Sequence, residues 1–335
     1  MTASADVDNV AERLERFLVS QLGPEAGVQI EGLRRTSAGF SRENWVFDAT
    51  WHDVNGAAIS EPLIMRRDPV GSVLDTDRRA EFAVLEALAS TAVPAPHVRW
   101  LDADGEWLGR PSVVMLREDG DCDWFVLSGD RSLDDRVAIA KRYLALLAAI
   151  HTLDWRGAGL GDVLDDPGPD AALAAVDHWE SELRRHQVEP HPELEVVVAW
   201  LRANAPASQT TSLVHGDFKP GNALMTGDQI HVMLDWETAH LGDPIEDLGW
   251  ITNPVRAREH QIPGAWERPQ IIEHYAALTG FDVDDTALRW WNVLANYKLS
   301  VITLTGVGAF VDGRFDRIHQ APLGLARVMF SMIGA

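Results

Sequence analysis

Hydrophobic and polar positions follow two rhythms along this chain, and the rhythm changes near residue 120. Upstream, short runs rich in β-branched and aromatic residues, Val28 to Arg35, Asn44 to Trp51, Leu63 to Arg67, His97 to Leu101 and Ser112 to Leu116, are separated by turn signals such as Asn55-Gly56. Runs of this length and composition predict strands, and their close succession predicts one small antiparallel sheet. One helix interrupts them. It opens after Asp75-Thr76-Asp77, carries Glu81, Leu85 and Leu88 at helical spacing, and stops at Val93-Pro94-Ala95-Pro96. Downstream the period is helical over Leu133 to His151, Ala171 to Gln187, Glu193 to Asn204, Pro269 to Thr279 and Asp285 to Thr305. One stretch departs from it: two strand-like runs, Ser212 to His215 and Ile230 to Leu234, bracket a polar loop from His215 to Asp228 and predict a loop-rich hairpin.

The pattern predicts an α+β chain of two lobes. A small antiparallel-sheet lobe spans residues 1–118, a connector runs near Arg117 to Asp123, and a larger, mainly helical lobe spans 119–335. The cleft of such a plan is the default place for a site. A length of 335 residues agrees with two domains, and a hydrophobic fraction of 46% is enough to build a core in each. No fixed-period repeat or low-complexity tract is present, which excludes solenoids and propellers.

Charge narrows the partners. The net charge of −22 repels phosphate backbones and anionic lipid, so neither nucleic acid nor a membrane surface is expected as the main partner. Apolar runs such as Leu144 to Ile150 fall far short of the roughly 20 residues of a membrane span. The stretch Met1 to Val10 lacks the basic flank and apolar segment of a secretory leader, and Cys122 is the single cysteine. A reducing compartment, the cytoplasm, is the expectation. Lys and Arg number 12 against 19 Asp and Glu up to residue 118, and 17 against 32 beyond it. That asymmetry suits a cationic acceptor steered to the helical lobe, and equally an ordinary solvated surface.

The chemistry concentrates in His215-Gly216-Asp217-Phe218-Lys219-Pro220-Gly221-Asn222 and Leu234-Asp235-Trp236. An Asp, an Asn five residues on and a second Asp eighteen on is the spacing of a kinase catalytic loop and its metal-binding aspartate. Phosphoryl transfer needs a carboxylate to orient a hydroxyl and take its proton, and hard oxygen ligands to hold Mg²⁺ on the phosphates. Asp217 fills the first role; Asn222 and Asp235 fill the second. Lys219 adds positive charge near the transferring group or is a solvated loop lysine. The bland alternative is a polar turn, since Asp, Gly, Pro and Asn are common turn formers. A metal site built on His215, Asp217 and His231 would need further convergent ligands, so His215 reads better as a brace for the loop.

These segments, with Leu241-Gly242-Asp243-Pro244 and Asp247-Leu248, resemble the aminoglycoside phosphotransferase family of the protein-kinase-like fold. Within it the chain is most similar to the kinase-like domains attached to some acyl-CoA dehydrogenases. There, patterns like Leu63 to Pro69, Val93 to Pro96, Val114-Met115 and Trp200-Leu201 recur around the same loop. The resemblance implies an ATP- or GTP-dependent, Mg²⁺-assisted phosphotransferase acting on a small-molecule hydroxyl, with a nucleotide-binding first lobe and a catalytic, acceptor-binding second lobe. It implies acceptors such as an aminoglycoside-like compound or a hydroxyacyl thioester, and it gives Asp247 the task of holding the catalytic loop.

The first lobe adds its own observations. Glu81 lies within the apolar stripe of Phe82, Leu85, Leu88 and Ala89, so its carboxylate needs a cation, and Arg66 at the end of a buried strand is the candidate. The pair mirrors the strand cation and helix glutamate that position nucleotide phosphates in kinases. Arginine stands where most kinases have lysine, with a planar and permanently charged group. The loop Ser37 to Asn44 holds one glycine, Gly39, so donors for phosphate there are backbone amides and hydroxyls such as Ser41. Met115 joins Arg66, Glu81, Gly39 and Ser41 in the nucleotide-binding set that the resemblance implies. The alternative is a catalytically silent nucleotide-binding protein of the same fold.

Overall fold

The computed structural model describes residues 2–36, 42–69, 77–314 and 324–334, with side chains from Asn9 onward in the first helix. Its contacts group into two compact units, Met1–Glu86 with Pro96–Asp119 and Ala87–Ala95 with Gly120–Ala335. The second boundary falls one residue from the 118/119 division read from the sequence. Residues 87–95 differ from it, grouping with the second unit.

In the first unit, helix α1 (Thr2–Leu22) precedes strands β1 (Gln29–Arg35), β2 (Glu43–His52) and β3 (Ala58–Arg67), helix α2 (Arg78–Leu88), and strands β4 (Val98–Asp102) and β5 (Ser112–Leu116). The strands form one antiparallel sheet in the order β1-β2-β3-β5-β4, with β3 central. Alternation decides its faces. Trp45, Phe47, Ala49 and Trp51 on β2 and Leu63 and Met65 on β3 point to one side and are buried with Val10, Leu14, Phe17 and Leu18 of α1. The sequence reading missed α1. Its signal was present, since Val10, Leu14, Phe17 and Leu18 stand at the i, i+4, i+7 and i+8 spacing of a helical stripe.

The second unit holds α3 (Leu133–His151), α4 (Ala171–His186), α5 (Pro192–Ala203), β6 (Ser212–Val214), β7 (Ala223–Thr226), β8 (Gln229–Met233), β9 (His240–Gly242), α6 (Ile245–Ile251), α7 (Ala257–His260), α8 (Arg268–Thr279), α9 (Asp285–Val311) and α10 (Leu325–Ile333). The strand reading around the polar loop needs correction. Its two flanking runs do not pair with each other: β6 pairs with β9, and β8 pairs with β7, a strand inside the loop. Gly227, at φ +64°, takes the first central position of the two-residue turn between β7 and β8. A glycine there with positive φ lets so short a hairpin follow the strand twist, which is how the loop hid a strand. Helix α9 is long and apolar enough to cross a membrane by length and composition, but 72% of its most apolar window is buried within the protein. It carries Trp290, Trp291 and Tyr297 into the core, each at most 1% exposed.

Candidate active site

The catalytic-loop candidate begins where β6 ends. Leu213 and Val214 are fully buried, so the backbone after them emerges at a fixed point. His215, also fully buried, then ties the loop together. Its Nε2 lies 2.9 Å from the Leu234 carbonyl, and its Nδ1 lies 3.2 Å from the Asp217 amide. A carbonyl only accepts and an amide N–H only donates, so these two partners select the neutral imidazole with the proton on Nε2. Burial agrees, driving the His215 pKa below its usual value against the pull of Asp247 and Asp217.

Asp247, on α6, braces the same segment from the other side. Its carboxylate accepts from the His215 amide at 2.7 Å, the Gly216 amide at 2.9 Å and His151 Nε2 at 3.2 Å. The Tyr275 hydroxyl, 2.6 Å from His151 Nδ1, closes the chain of contacts. Burial pushes the Asp247 carboxyl up, but its hydrogen bonds from His151 and from the His215 amide outweigh that and hold the group at about 2. Gly216 sits at φ +81°, and a Cβ there would lie 2.6 Å from Thr238 Oγ1 and 2.8 Å from the Thr238 carbonyl oxygen. Glycine is required on both counts.

The structure brings Asp217 and Asn222 together. Asn222 Nδ2 donates to Asp217 Oδ2 and to the Asp217 carbonyl, each at 3.0 Å. Lys219 pairs with the same carboxylate oxygen, and its Nζ stands 4.6 Å from the centre of the Trp124 ring. With the Asn222 amide nitrogen committed to Asp217, its carbonyl Oδ1 is the atom left to act as a metal ligand. Asp235 has φ 61°, and among the described residues it is the one non-glycine residue with positive φ. Such a conformation costs of order 1–3 kcal/mol and collects at functional positions. Two hard oxygen donors of this kind fit Mg²⁺, which takes few protein ligands and completes its shell with phosphates and water.

In the first unit, Arg66 and Glu81 meet as an ion pair at 3.7 Å, with the Glu81 side chain 2% exposed. The nearer partner of Glu81 is a residue the sequence reading passed over, Arg78, whose Nη1 pairs with Glu81 Oε2. Arg78 also reaches Asp68 Oδ1 at 2.6 Å, and Arg42 reaches that oxygen at 2.7 Å. Glu81 is thus shared by two arginines in a chain running Arg42, Asp68, Arg78, Glu81, Arg66. Its signal was Arg78 standing three residues before Glu81, one helical turn away. Met115 on β5 is buried between Ile64 on β3 and Val98 on β4. Gly39 and Ser41 lie outside the described residues.

A second missed residue is Lys298 on α9, 4% exposed, whose Nζ donates to the Gly216 carbonyl. Its signal was present in the sequence: no other charged residue occurs between Arg289 and Asp312.

Comparison with known proteins places this geometry. Over 197 residues, 56% of this chain, it is 31% identical to acyl-CoA dehydrogenase family member 10 of Mus musculus; over 269 residues, 72% of the chain, it is 29% identical to family member 11 of Gallus gallus. The matched segments make up 18% and 33% of those relatives, so the chain spans a third or less of their length. Among solved structures it superposes on a Ralstonia eutropha protein assigned as an aminoglycoside phosphotransferase, with a TM-score of 0.71, 22% identity and coverage of 96% of this chain and 95% of that one. It also superposes on the aminoglycoside phosphotransferase APH(2″)-IIa in its ternary complex with streptomycin and ATP, with a TM-score of 0.55, 17% identity and coverage of 88% and 89%. At those identities the superpositions establish the kinase-like fold. The profile of the phosphotransferase enzyme family (APH) matches residues 33–291, from β1 through the catalytic-loop candidate and into α9, and the chain belongs to that family.

Proposed function

We propose that this protein transfers the γ-phosphoryl group of ATP or GTP to a hydroxyl of a small molecule, with Asp217 as the base. Family membership supports small-molecule phosphotransfer as the general activity. The observation that carries the finer reading is the Asp217 carboxylate, held by Asn222 Nδ2 and Lys219 on a loop whose backbone Asp247 and His215 pin. A carboxylate fixed in that way orients an acceptor hydroxyl and takes its proton as the oxygen attacks phosphorus.

Lys219, paired with Asp217, supplies positive charge near the transferring group. Arg66, oriented by Glu81, is assigned to the donor phosphates, and Met115, Gly39 and Ser41 to the rest of the nucleotide. Asn222 Oδ1 and the Asp235 carboxylate would hold Mg²⁺, which when bound neutralises charge on the donor phosphates. The ATP bound in the streptomycin phosphotransferase complex supports a nucleoside triphosphate as donor. Base, Asn and second Asp together favour an active enzyme over a silent nucleotide-binding protein, for which an oriented base has no use.

The test is an acceptor screen. Aminoglycosides, macrolides and hydroxyacyl thioesters are offered with MgATP or MgGTP, and nucleoside diphosphate release is followed. The expected result is acceptor-stimulated, Mg²⁺-dependent release that Asp217→Asn lowers by at least about 10²-fold. Release of equal rate in Asp217→Asn would overturn the reading.

A further inference from the structure

We infer that Lys298 is a positioning residue for the catalytic loop: its buried ammonium clamps the peptide unit that carries Asp217. The inference rests on the reading of Asp217 as base. The peptide bond joining Gly216 to Asp217 is held at both ends, with its carbonyl accepting from Lys298 Nζ and its N–H donating to His215 Nδ1. One residue earlier, the amides of His215 and Gly216 donate to the Asp247 carboxylate. A cation on the carbonyl side and an anion on the amide side therefore fix three consecutive backbone groups ahead of Asp217. Gly216 needs that restraint. At φ +81° it has no side chain to restrict its ψ, and rotation there would swing the Asp217 carboxylate away.

The surroundings of Lys298 are built for a charge. Its Nζ lies 5.0 Å from the ring centres of both Trp179 and Trp250, and 3.9 Å from Glu246 Oε1. Glu246 Oε2 in turn lies 3.1 Å from His240 Nε2. Burying a lysine among tryptophans is an expensive way to fill a core, because apolar residues of similar volume pack there at no desolvation cost. Stability alone therefore does not account for the residue. The Gly216 carbonyl does, because it gives the ammonium a direct hold on the loop.

Misplacing a reacting group by about 1 Å costs about 10²-fold in rate. Lys298→Met and Lys298→Gln are compared with the wild type in two measurements: kcat and nucleotide KM in the acceptor assay, and amide hydrogen exchange resolved to the segment 212–222. We expect kcat to fall by about 10²-fold in Lys298→Met, as the loop loses its hold, while nucleotide KM stays unchanged. Exchange should quicken at Gly216 and Asp217 and stay at the wild-type level in α3 and α8. Should Lys298→Met fail to fold, Lys298→Gln, which keeps a donor but no charge, is expected to show the same changes in smaller degree. Wild-type exchange and kcat in the folded variants would overturn the inference, and so would faster exchange throughout the second unit. If the wild type itself turns over no nucleotide with any acceptor, the phosphotransfer reading falls, and the exchange measurement still decides whether Lys298 holds the loop.

Discussion

Asp217 is held by its neighbours and not by its own packing, so the chemistry of single residues around it is open to test. Asp247 has its carboxyl depressed from 3.8 to about 2. A depressed carboxyl stabilises the fold above its unfolded value, and that contribution is lost as the pH falls through 3.8 toward 2. His215 acts earlier. Its folded pKa lies below 6.5, so under acid the unfolded chain binds a proton that the folded one refuses, and stability falls as the pH drops below 6.5. Buried His260 is depressed with it, chiefly by burial. His240 opposes them: burial lowers it, Glu246 outweighs that, and its contribution is present at low pH and lost as the pH rises through its raised value. With two buried histidines depressed and one raised, the melting temperature is expected to fall between pH 6.5 and 5. A melting temperature that is level over that window would contradict the neutral His215 tautomer. At Asp235, Asp235→Asn keeps a residue that tolerates left-handed backbone and removes the charge. The expected outcome in a thermal-shift assay is an unchanged melting temperature without ligand and loss of the extra stabilisation that Mg²⁺ gives with nucleotide.

At the scale of elements, the strands of the first unit were legible because period-2 alternation and turn chemistry are local. The catalytic-loop candidate was legible because its residue types sit close together in sequence. What the sequence concealed are pairings decided by tertiary contact. β7 lay inside a run of turn formers, and β6 found its partner at His240–Gly242, 26 or more residues on. The Arg66 and Glu81 pair was legible from the helical stripe, whereas Arg78, the nearer partner, was hidden by assigning one cation to one acid. The two arginines are expected to separate by measurement. Arg78→Ala strips a direct partner from both Glu81 and Asp68, and urea unfolding is expected to show a loss of about 3 kcal/mol, the range for breaking a buried pair. Arg66→Ala removes the longer of the two contacts to Glu81, at 3.7 Å, and is expected to cost less stability while weakening nucleotide binding more. The reverse order in both measurements would contradict the roles assigned to them.

At the scale of the whole molecule, a net charge of −22 is the dominant long-range feature. Like charges repel most in the compact state, and the Debye length shrinks from about 30 Å at 0.01 M salt to about 3 Å at 1 M. The melting temperature is therefore expected to rise when NaCl is raised from low to moderate concentration, and a fall would show that ion pairs such as Arg42 with Asp68 outweigh the general repulsion. The central proposal is that Asp217 takes a proton from an acceptor hydroxyl as the γ-phosphoryl group moves. The most direct measurement is single-turnover transfer of labelled γ-phosphate from ATP to an acceptor found in the screen, comparing the wild type with Asp217→Asn at saturating nucleotide. The account predicts labelled acceptor from the wild type and a rate at least about 10²-fold lower in Asp217→Asn, with nucleotide affinity little changed. Transfer at the wild-type rate in Asp217→Asn, with chemistry limiting, would contradict it.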